Sequence, residues 1–152
     1  MTDTQLLRDL YRQTVLEHSR HPRNFRRLAE ADRTVQGHNP LCGDKVTVYL
    51  RLTDNRIADI AFEGAGCAIS LASASIMTEA LRGKPVGEAE QHTDEIMHQF
   101  EAGANDTSTI PGDMAALSGV RAYPSRIKCA MLAWKVLAAA IRGEHETATT
   151  EE

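Results

Sequence analysis

Apolar and polar positions alternate most clearly in the first half of the chain. Every second side chain is apolar over residues 45–52, and the alternation recurs over residues 57–63. Alternation with a period of two predicts strands that bury one face. The Asp-Asn pair at residues 54–55 supplies a turn between them, so the two segments are predicted to form an antiparallel hairpin. A third strand is predicted over residues 33–38.

Helical spacing of apolar residues marks the segments on either side of this hairpin. It predicts helices over residues 2–17, 67–81, 93–101 and 124–143. The second helix would begin at Cys67, after a glycine-rich break in the chain. The last is the most clearly periodic, and Met131 and Trp134 are predicted to belong to its buried face. His18 and His21 are assigned to the surface near the end of the first helix.

These elements predict an α+β fold with a small antiparallel three-stranded sheet packed against helices. Residues 1–143 are predicted to form a single domain, because no internal repeat or long linker divides them. The polar residues 144–152 are predicted to form a disordered tail. Residues 103–112 are rich in polar and turn residues, which predicts a surface loop.

Length and composition favour one compact domain and exclude several classes of function. The 152 residues are 42% hydrophobic and 25% charged, as is ordinary for a chain with a core. A net charge of -4 without a basic stripe argues against nucleic-acid binding. The most apolar stretch, residues 129–141, is interrupted by Lys135, and the N-terminus becomes charged early. Neither a membrane span nor a signal peptide is therefore predicted, and we expect a cytoplasmic protein.

The three cysteines are candidates for metal binding rather than for disulfides. An odd number of widely spaced cysteines does not suit a disulfide framework and is typical of a reducing compartment. Cys42 and Asp44 flank a glycine at the start of the first hairpin strand, so thiolate and carboxylate can converge. Cys67 follows the hairpin and Cys129 lies early in the last helix, where the fold can bring both to the same site. Three sulfurs and one carboxylate oxygen suit zinc, and iron can use the same ligands.

Residue spacing alone leaves this metal site undecided. The chain lacks close C-x-x-C pairs, and free cysteine is commonly buried, so Cys67 and Cys129 fit equally well as small core residues. If the metal is bound, the site carries surplus negative charge. Arg126 is then predicted to hydrogen-bond Asp44 or a sulfur ligand, with a solvated arginine as the alternative. His38 is assigned to an exposed strand edge in preference to a transient ligand.

Three ordered motifs resemble the ligand segments of the IscU/NifU-like iron-sulfur cluster assembly family. They are NPLCGD at residues 39–44, FEGAGCAIS at residues 62–70 and RIKCA at residues 126–130. Residues 11–24 also resemble the family's first helix and the turn after it, so the resemblance covers nearly the whole chain. IscU-type scaffolds carry a histidine where this chain has Lys128, and residues 112–125 resemble an insertion of SufU proteins. The chain is therefore identified as a SufU-type member of the family.

The resemblance implies a SufU/IscU-like fold and a zinc-dependent sulfurtransferase of iron-sulfur cluster assembly. It implies that Cys42, Asp44, Cys67 and Cys129 bind Zn²⁺. It also implies that a SufS-type cysteine desulfurase supplies persulfide sulfur, with a SufB-type scaffold as a downstream partner. Cys42 is the predicted sulfur acceptor, released when a histidine of the desulfurase replaces it on the metal, and Arg126 is the second catalytic candidate.

Two alternatives stay open for this set of ligands. The first is an IscU-like scaffold on which a 2Fe–2S cluster is assembled and transiently bound by the same cysteines. The second is a structural zinc protein, in which the metal only joins the hairpin to the last helix. Lys128 argues against the first, and a core of this size argues against the second.

Overall fold

The computed structural model describes residues 3–40, 43–102, 117, 120, 123–143 and 148–149. Its helices are α1 (Asp3–Arg20), α2 (Ala68–Leu81), α3 (Val86–Ala102) and α4 (Ile127–Ile141), and a 3-10 turn at Pro124–Arg126 leads into α4. Its strands are β1 (Arg33–Asn39), β2 (Asp44–Thr53), β3 (Arg56–Ala65) and β4 (Ala148–Thr149). Together they form the α+β fold that the sequence predicts.

The sheet has the strand order β3-β2-β1-β4, and its three long strands are antiparallel as predicted. Asp54 and Asn55 connect β2 to β3 and have φ angles of 52° and 61°. Two positive φ angles in a two-residue loop match the twist of an antiparallel hairpin, and both residue types tolerate this conformation. The predicted turn is therefore confirmed.

The short strand β4 lies in the segment for which the sequence predicts a disordered tail. It pairs with β1 in parallel, with Ala148 beside Gly37 and Thr149 beside His38. A strand of two residues is too short to show an alternation of apolar and polar side chains, so the sequence pattern could not predict it. The other residues of the predicted tail, and the predicted loop over residues 103–112, lie outside the described residues.

Helix α3 begins at Val86, seven residues before the predicted start. Its first turns are polar and contain a glycine, which weakens the helical pattern. Ala89 is nevertheless fully buried, and its amide donates a 2.9 Å hydrogen bond to the carbonyl of Pro85. Thr93, Ile96 and Phe100 continue the same buried face at helical spacing. Packing of this face against the core extends the helix beyond its sequence signal.

The core lies between the inner face of the sheet and the helices α2 and α4. Val46, Val48 and Leu50 of β2 are fully buried, and Trp134 and Leu137 of α4 pack in the same cluster. Met131 is also buried, which confirms its assignment to the buried face of the last helix, and Met77 of α2 is fully buried. Helix α2 contacts α1, α4 and β3 and is buried over most of its surface. Packing of α2 and α4 against the sheet thus places the N-termini of these two helices near the strand ends.

The assignment of His18 to the surface is wrong. Its side chain is only 2% exposed, and its Nδ1 atom lies 2.8 Å from Oγ of Ser75 on α2. The same Oγ accepts a hydrogen bond from the amide of Arg23, which closes the turn after α1 against α2. A polar residue can be buried when its partner is supplied by another element, and the local pattern does not contain that partner.

Among the described residues, no helix is long and apolar enough to cross a membrane.

Candidate metal centre

Asp44, Cys67 and Cys129 come together where three elements begin. Asp44 is the first residue of β2, Cys67 caps the N-terminus of α2, and Cys129 lies in the first turn of α4. One carboxylate oxygen and the two sulfurs all lie within 4.8 Å of one another. Asp44 and Cys129 are fully buried and Cys67 is half-buried. The site is therefore open to solvent only on the side of Cys67, as far as the described residues show.

The carboxylate of Asp44 is fixed by the backbone of Cys67. Its Oδ1 atom accepts a 2.9 Å hydrogen bond from the amide of Cys67, and the thiol of Cys67 donates to Oδ2 across 3.8 Å. The interaction satisfies a carboxylate that is completely removed from solvent. It also holds one carboxylate oxygen beside the sulfur of Cys67.

Gly66 allows this close approach between the carboxylate and the start of α2. Its φ angle is +150°, and a Cβ atom at this position would lie 2.2 Å from Oδ1 of Asp44. Any side chain would therefore displace the carboxylate or the chain. The glycine before Cys67 is a steric requirement of the site.

The sulfur of Cys67 is held at a helix N-terminus. It accepts a hydrogen bond from the amide of Ser70 across 3.5 Å, in the position of an N-cap side chain. The amides of the first turn form the positive end of the helix dipole, which attracts the negative charge of a metal-bound thiolate. The N-terminus of α2 thus suits an anionic sulfur ligand.

The position of Cys129 depends on a buried polar contact between α2 and α4. The hydroxyl of Ser73 donates a 2.6 Å hydrogen bond to the carbonyl of Ala130 and accepts one of 3.0 Å from Nε1 of Trp134. These bonds fix the first turns of α4 against α2. The side chain of Asn39 adds a longer contact, with its Nδ2 atom 4.0 Å from Sγ of Cys129.

Asn39 is a site residue that the sequence argument did not single out. It is 1% exposed and ends β1 directly opposite Asp44. Asn39 is part of the motif at residues 39–44, but an asparagine beside a proline is also typical of a turn, so the sequence did not distinguish the two roles. Only the fold shows that its amide faces a sulfur of the site.

Cys42, the fourth predicted ligand, lies outside the described residues. The strand ends on either side are described: Asn39 pairs with Asp44, and the amide of Gly43 donates a 2.8 Å hydrogen bond to the carbonyl of Asn39. Gly43 has a φ angle of 74°, which favours glycine. Covalent geometry limits the distance between the Cα atoms of residues 42 and 44 to about 7 Å.

The chemistry of the described donors fits a zinc ion. In a tetrahedral site with Zn–S bonds of about 2.3 Å, sulfur ligands lie roughly 3.8 Å apart. The donor atoms of Asp44, Cys67 and Cys129 already lie within 4.8 Å of one another, so small side-chain movements would suffice. Neither Cys67 nor Cys129 is in a disulfide, so each has a thiol that can lose a proton to a metal.

The other predicted polar residues lie around this centre rather than within it. Arg126 is the last residue of the 3-10 turn before α4; it is exposed and lines a pocket beside the centre. Its hydrogen bond to Asp44 or to a sulfur stays a prediction. His38 is half-buried and lies on the opposite face of β1 from Asn39, the residue that faces Cys129. The assignment of His38 to an exposed strand edge is therefore wrong, because β4 pairs with β1 at this residue.

Comparison with known proteins shows which family the chain belongs to. The family model of the NifU-like N terminal domain matches residues 10–130 and so covers the strands β1–β3 and the three described ligands. The chain belongs to the NifU-like N-terminal domain family. As a family member it is 41% identical over 128 residues to the zinc-dependent sulfurtransferase SufU of Bacillus subtilis, covering 84% of this chain and 86% of that one.

Other members of the NifU-like family are similar to nearly the same extent. The iron-sulfur cluster assembly scaffold protein IscU of Streptococcus pyogenes is 38% identical, over 90% of this chain and 85% of its own. The crystal structure of FiSufU from Fervidobacterium islandicum has a TM-score of 0.80 and 32% identity, covering 87% of this chain and 96% of that one. Relatives named as a sulfurtransferase and as a scaffold are therefore both similar to this chain, and the family points to iron-sulfur cluster assembly.

Proposed function

We propose that this protein is a zinc-dependent sulfur acceptor that takes persulfide sulfur from a SufS-type cysteine desulfurase for iron-sulfur cluster assembly. The convergence of Asp44, Cys67 and Cys129 on one partly open centre carries the proposal. The similarity to a relative named as a zinc-dependent sulfurtransferase supports it. The fourth ligand in this proposal is Cys42. Only one residue separates it from Asp44, so the Cα atoms of the two residues lie within about 7 Å of each other.

Four residues contribute different properties to the metal site that would bind the cysteine thiolates. When bound, zinc keeps its cysteine ligands deprotonated at neutral pH. Asp44 contributes a buried carboxylate whose orientation the amide of Cys67 fixes. Cys67 contributes a sulfur at a helix N-terminus, and Cys129 one at the base of the site. Arg126 contributes positive charge at the edge.

The proposed transfer is a thiol–persulfide exchange that needs no further oxidant. The thiolate of Cys42 attacks the outer sulfur of the desulfurase persulfide, and a new S–S bond forms as the old one breaks. The electron pair of the broken bond leaves on the desulfurase cysteine as a thiolate, and any proton on the outer sulfur stays there. Cys42 is oxidised to the persulfide level while the desulfurase cysteine is reduced.

A scaffold function is the second candidate, because a relative named as an IscU scaffold matches almost as well. It would use the same two described thiols and Asp44 to hold a cluster. Lys128 favours sulfur transfer, because IscU-type scaffolds carry a histidine at that position. Lys128 has an ammonium group, which cannot bind iron while it is protonated.

The experiment combines metal analysis with a desulfurase assay on anaerobically purified protein. Wild type is compared with Asp44→Ala, which removes a ligand, with Cys42→Ala, which removes the proposed acceptor, and with His38→Ala as a control on the opposite face of β1. We expect one zinc per wild-type chain, less in Asp44→Ala, and full zinc in His38→Ala. Wild type and His38→Ala should stimulate desulfurase turnover, and Cys42→Ala should not.

Three other results of this experiment would each contradict a different part of the proposal. A coloured iron-sulfur cluster in place of zinc would favour the scaffold. Zinc without any stimulation of the desulfurase would favour a structural metal. Undiminished stimulation by Cys42→Ala would show that Cys42 is not the acceptor.

A further inference from the structure

We propose that Asn39 is a positioning residue of the metal centre, whose side-chain amide donates a hydrogen bond to the thiolate of Cys129 when zinc is bound. The hydrogen bond stabilises the most deeply buried sulfur of the site as a metal ligand. The proposal rests on the zinc site of the proposed function and adds to it a residue that does not itself bind the metal.

The side chains of Asn39 and Cys129 meet in the interior of the protein. Nδ2 of Asn39 lies 4.0 Å from Sγ of Cys129, although 90 residues separate the two in the chain. Asn39 is 1% exposed and Cys129 is fully buried, so water does not compete for this contact. A negative charge on a sulfur that is buried in this way must be stabilised by donors within the protein.

The backbone of Asn39 is held at the end of a paired strand. Asn39 is the last residue of β1 and pairs with Asp44, the first residue of β2. Its carbonyl accepts a 2.8 Å hydrogen bond from the amide of Gly43. Helix α4, with Cys129 in its first turn, packs against β1. The amide group of Asn39 is therefore presented to Cys129 by a fixed strand end.

Each of the three described ligands has an N–H group beside it. The amide of Cys67 donates to Oδ1 of Asp44 across 2.9 Å, and the amide of Ser70 donates to Sγ of Cys67 across 3.5 Å. For Cys129, the group is Nδ2 of Asn39. The first two donors belong to the backbone, which a side-chain substitution does not remove. The third belongs to a side chain, so its contribution can be measured by substituting Asn39.

The contact should strengthen when the sulfur of Cys129 becomes a thiolate. The sulfur of a neutral thiol is a weak acceptor, whereas hydrogen bonds to a charged group are shorter and roughly twice as strong. Zinc keeps its cysteine ligands deprotonated, so the amide of Asn39 contributes most when the metal is bound. Loss of a hydrogen bond to a metal ligand typically lowers metal affinity about 10–100-fold.

The test compares two substitutions of Asn39 with a control on the same strand. Asn39→Leu removes the donor but keeps nearly the same volume, and Asn39→Asp keeps the shape but places a carboxylate oxygen beside the sulfur. The control is Gln36→Leu, which removes an exposed amide from the opposite face of β1. Three quantities are measured: zinc affinity by chelator competition, the unfolding free energy of the metal-free protein, and the sulfur-to-metal charge-transfer absorption of Co²⁺-substituted protein.

We expect Asn39→Leu to bind zinc about tenfold more weakly than wild type, and Asn39→Asp about 100-fold more weakly. The charge-transfer band should move to lower energy in Asn39→Leu, because the electrons of the sulfur lose a stabilising donor. It should move further in Asn39→Asp, because the sulfur then faces a negative charge. Gln36→Leu should match wild type in zinc affinity and in the position of the band.

The charge-transfer band separates a positioning role from a merely structural one. If Asn39→Leu is less stable but keeps the wild-type band and zinc affinity, Asn39 is structural and its positioning role is overturned, while the proposed function stands. If Asn39→Leu does not fold, Asn39→Ser replaces it, since its hydroxyl stops short of Cys129 and the same weakening and band shift are expected.

Failure of the proposed function gives different results. If wild type binds neither zinc nor Co²⁺, both proposals are wrong. If wild type binds zinc and the Asn39 variants weaken it as expected, but wild type does not stimulate the desulfurase, sulfur transfer is wrong and the role of Asn39 stands.

Discussion

Asp44 and Cys67 are joined by a 2.9 Å hydrogen bond from the amide of Cys67 to Oδ1 of Asp44, although 23 residues separate them in the chain. One bond thus connects the first residue of β2 to the N-cap of α2. Because both side chains are also candidate metal ligands, this contact couples the stability of the fold to the geometry of the site. The two effects can be separated by choosing the substitution at Asp44.

We predict that Asp44→Asn and Asp44→Ala weaken metal binding alike but differ in stability. Asparagine retains an oxygen for the amide of Cys67, so the metal-free protein should unfold within about 1 kcal/mol of wild type. Alanine leaves that amide unpaired and should cost about 1–3 kcal/mol. Both variants should bind zinc at least about tenfold more weakly, as measured by chelator competition. Equal denaturant stability of the two metal-free variants would contradict the role given to the hydrogen bond.

Gly66→Ala should damage both the fold and the metal site. The added Cβ would lie 2.2 Å from Oδ1 of Asp44, at a φ angle that disfavours alanine. We expect a loss of about 3 kcal/mol or more in unfolding free energy and a loss of bound zinc.

Gly83→Ala is the matched control for Gly66→Ala. Gly83 also has a positive φ angle, of +81°, but a Cβ there meets nothing within 4 Å. It should cost only about 1–2 kcal/mol and leave zinc binding unchanged. Zinc loss in both variants would mean that backbone strain, and not the contact with Asp44, explains the effect.

Ser73→Ala should loosen the start of α4. It removes the hydroxyl that donates to the carbonyl of Ala130 and accepts from Trp134, and leaves the buried indole N–H of Trp134 unpaired. We expect a loss of about 1–3 kcal/mol by denaturant unfolding. Ser125→Ala, at an exposed position of the 3-10 turn, should stay within about 0.5 kcal/mol of wild type. Equal losses at both serines would overturn the importance assigned to the buried contact.

Asp59→Asn should reduce stability at neutral pH but not in acid. Burial acts to raise the pKa of Asp59, but hydrogen bonds from Arg26 and from the amide of Ile60 hold it below its ordinary value. Folding therefore favours the ionised form, and its contribution exists above the unfolded pKa and disappears as the pH falls through the folded pKa. We expect a difference of about 1 kcal/mol at pH 7, because the pair is partly exposed.

The pH dependence of Asp59→Asn is checked by denaturant unfolding between pH 7 and pH 2. Asp54→Asn, at the exposed hairpin turn, is the control and should follow wild type at every pH. A difference between wild type and Asp59→Asn that persists unchanged at pH 2 would contradict the assignment to the charge of Asp59.

Sequence reasoning succeeded where a local pattern has a single structural meaning. Alternation fixed the hairpin β2–β3, and the residues Asp54 and Asn55 fixed its turn, because a two-residue loop with positive φ angles accepts few other residues. It was less accurate for α3, whose first turns are held by the buried Ala89 and not by a periodic apolar stripe. It missed β4, which depends on backbone pairing with β1.

For the metal centre too, the sequence predicted some features and the tertiary structure decided others. The sequence by itself determined the donor types, because only cysteine and aspartate at these positions offer soft and anionic ligands, and it determined that Cys67 would begin a helix. The tertiary structure decided that Asp44, Cys67 and Cys129 meet within 4.8 Å and that Asn39 faces Cys129. The physical reason is that a local pattern reports which face of an element is buried. Which groups meet across elements depends on packing between segments up to 90 residues apart.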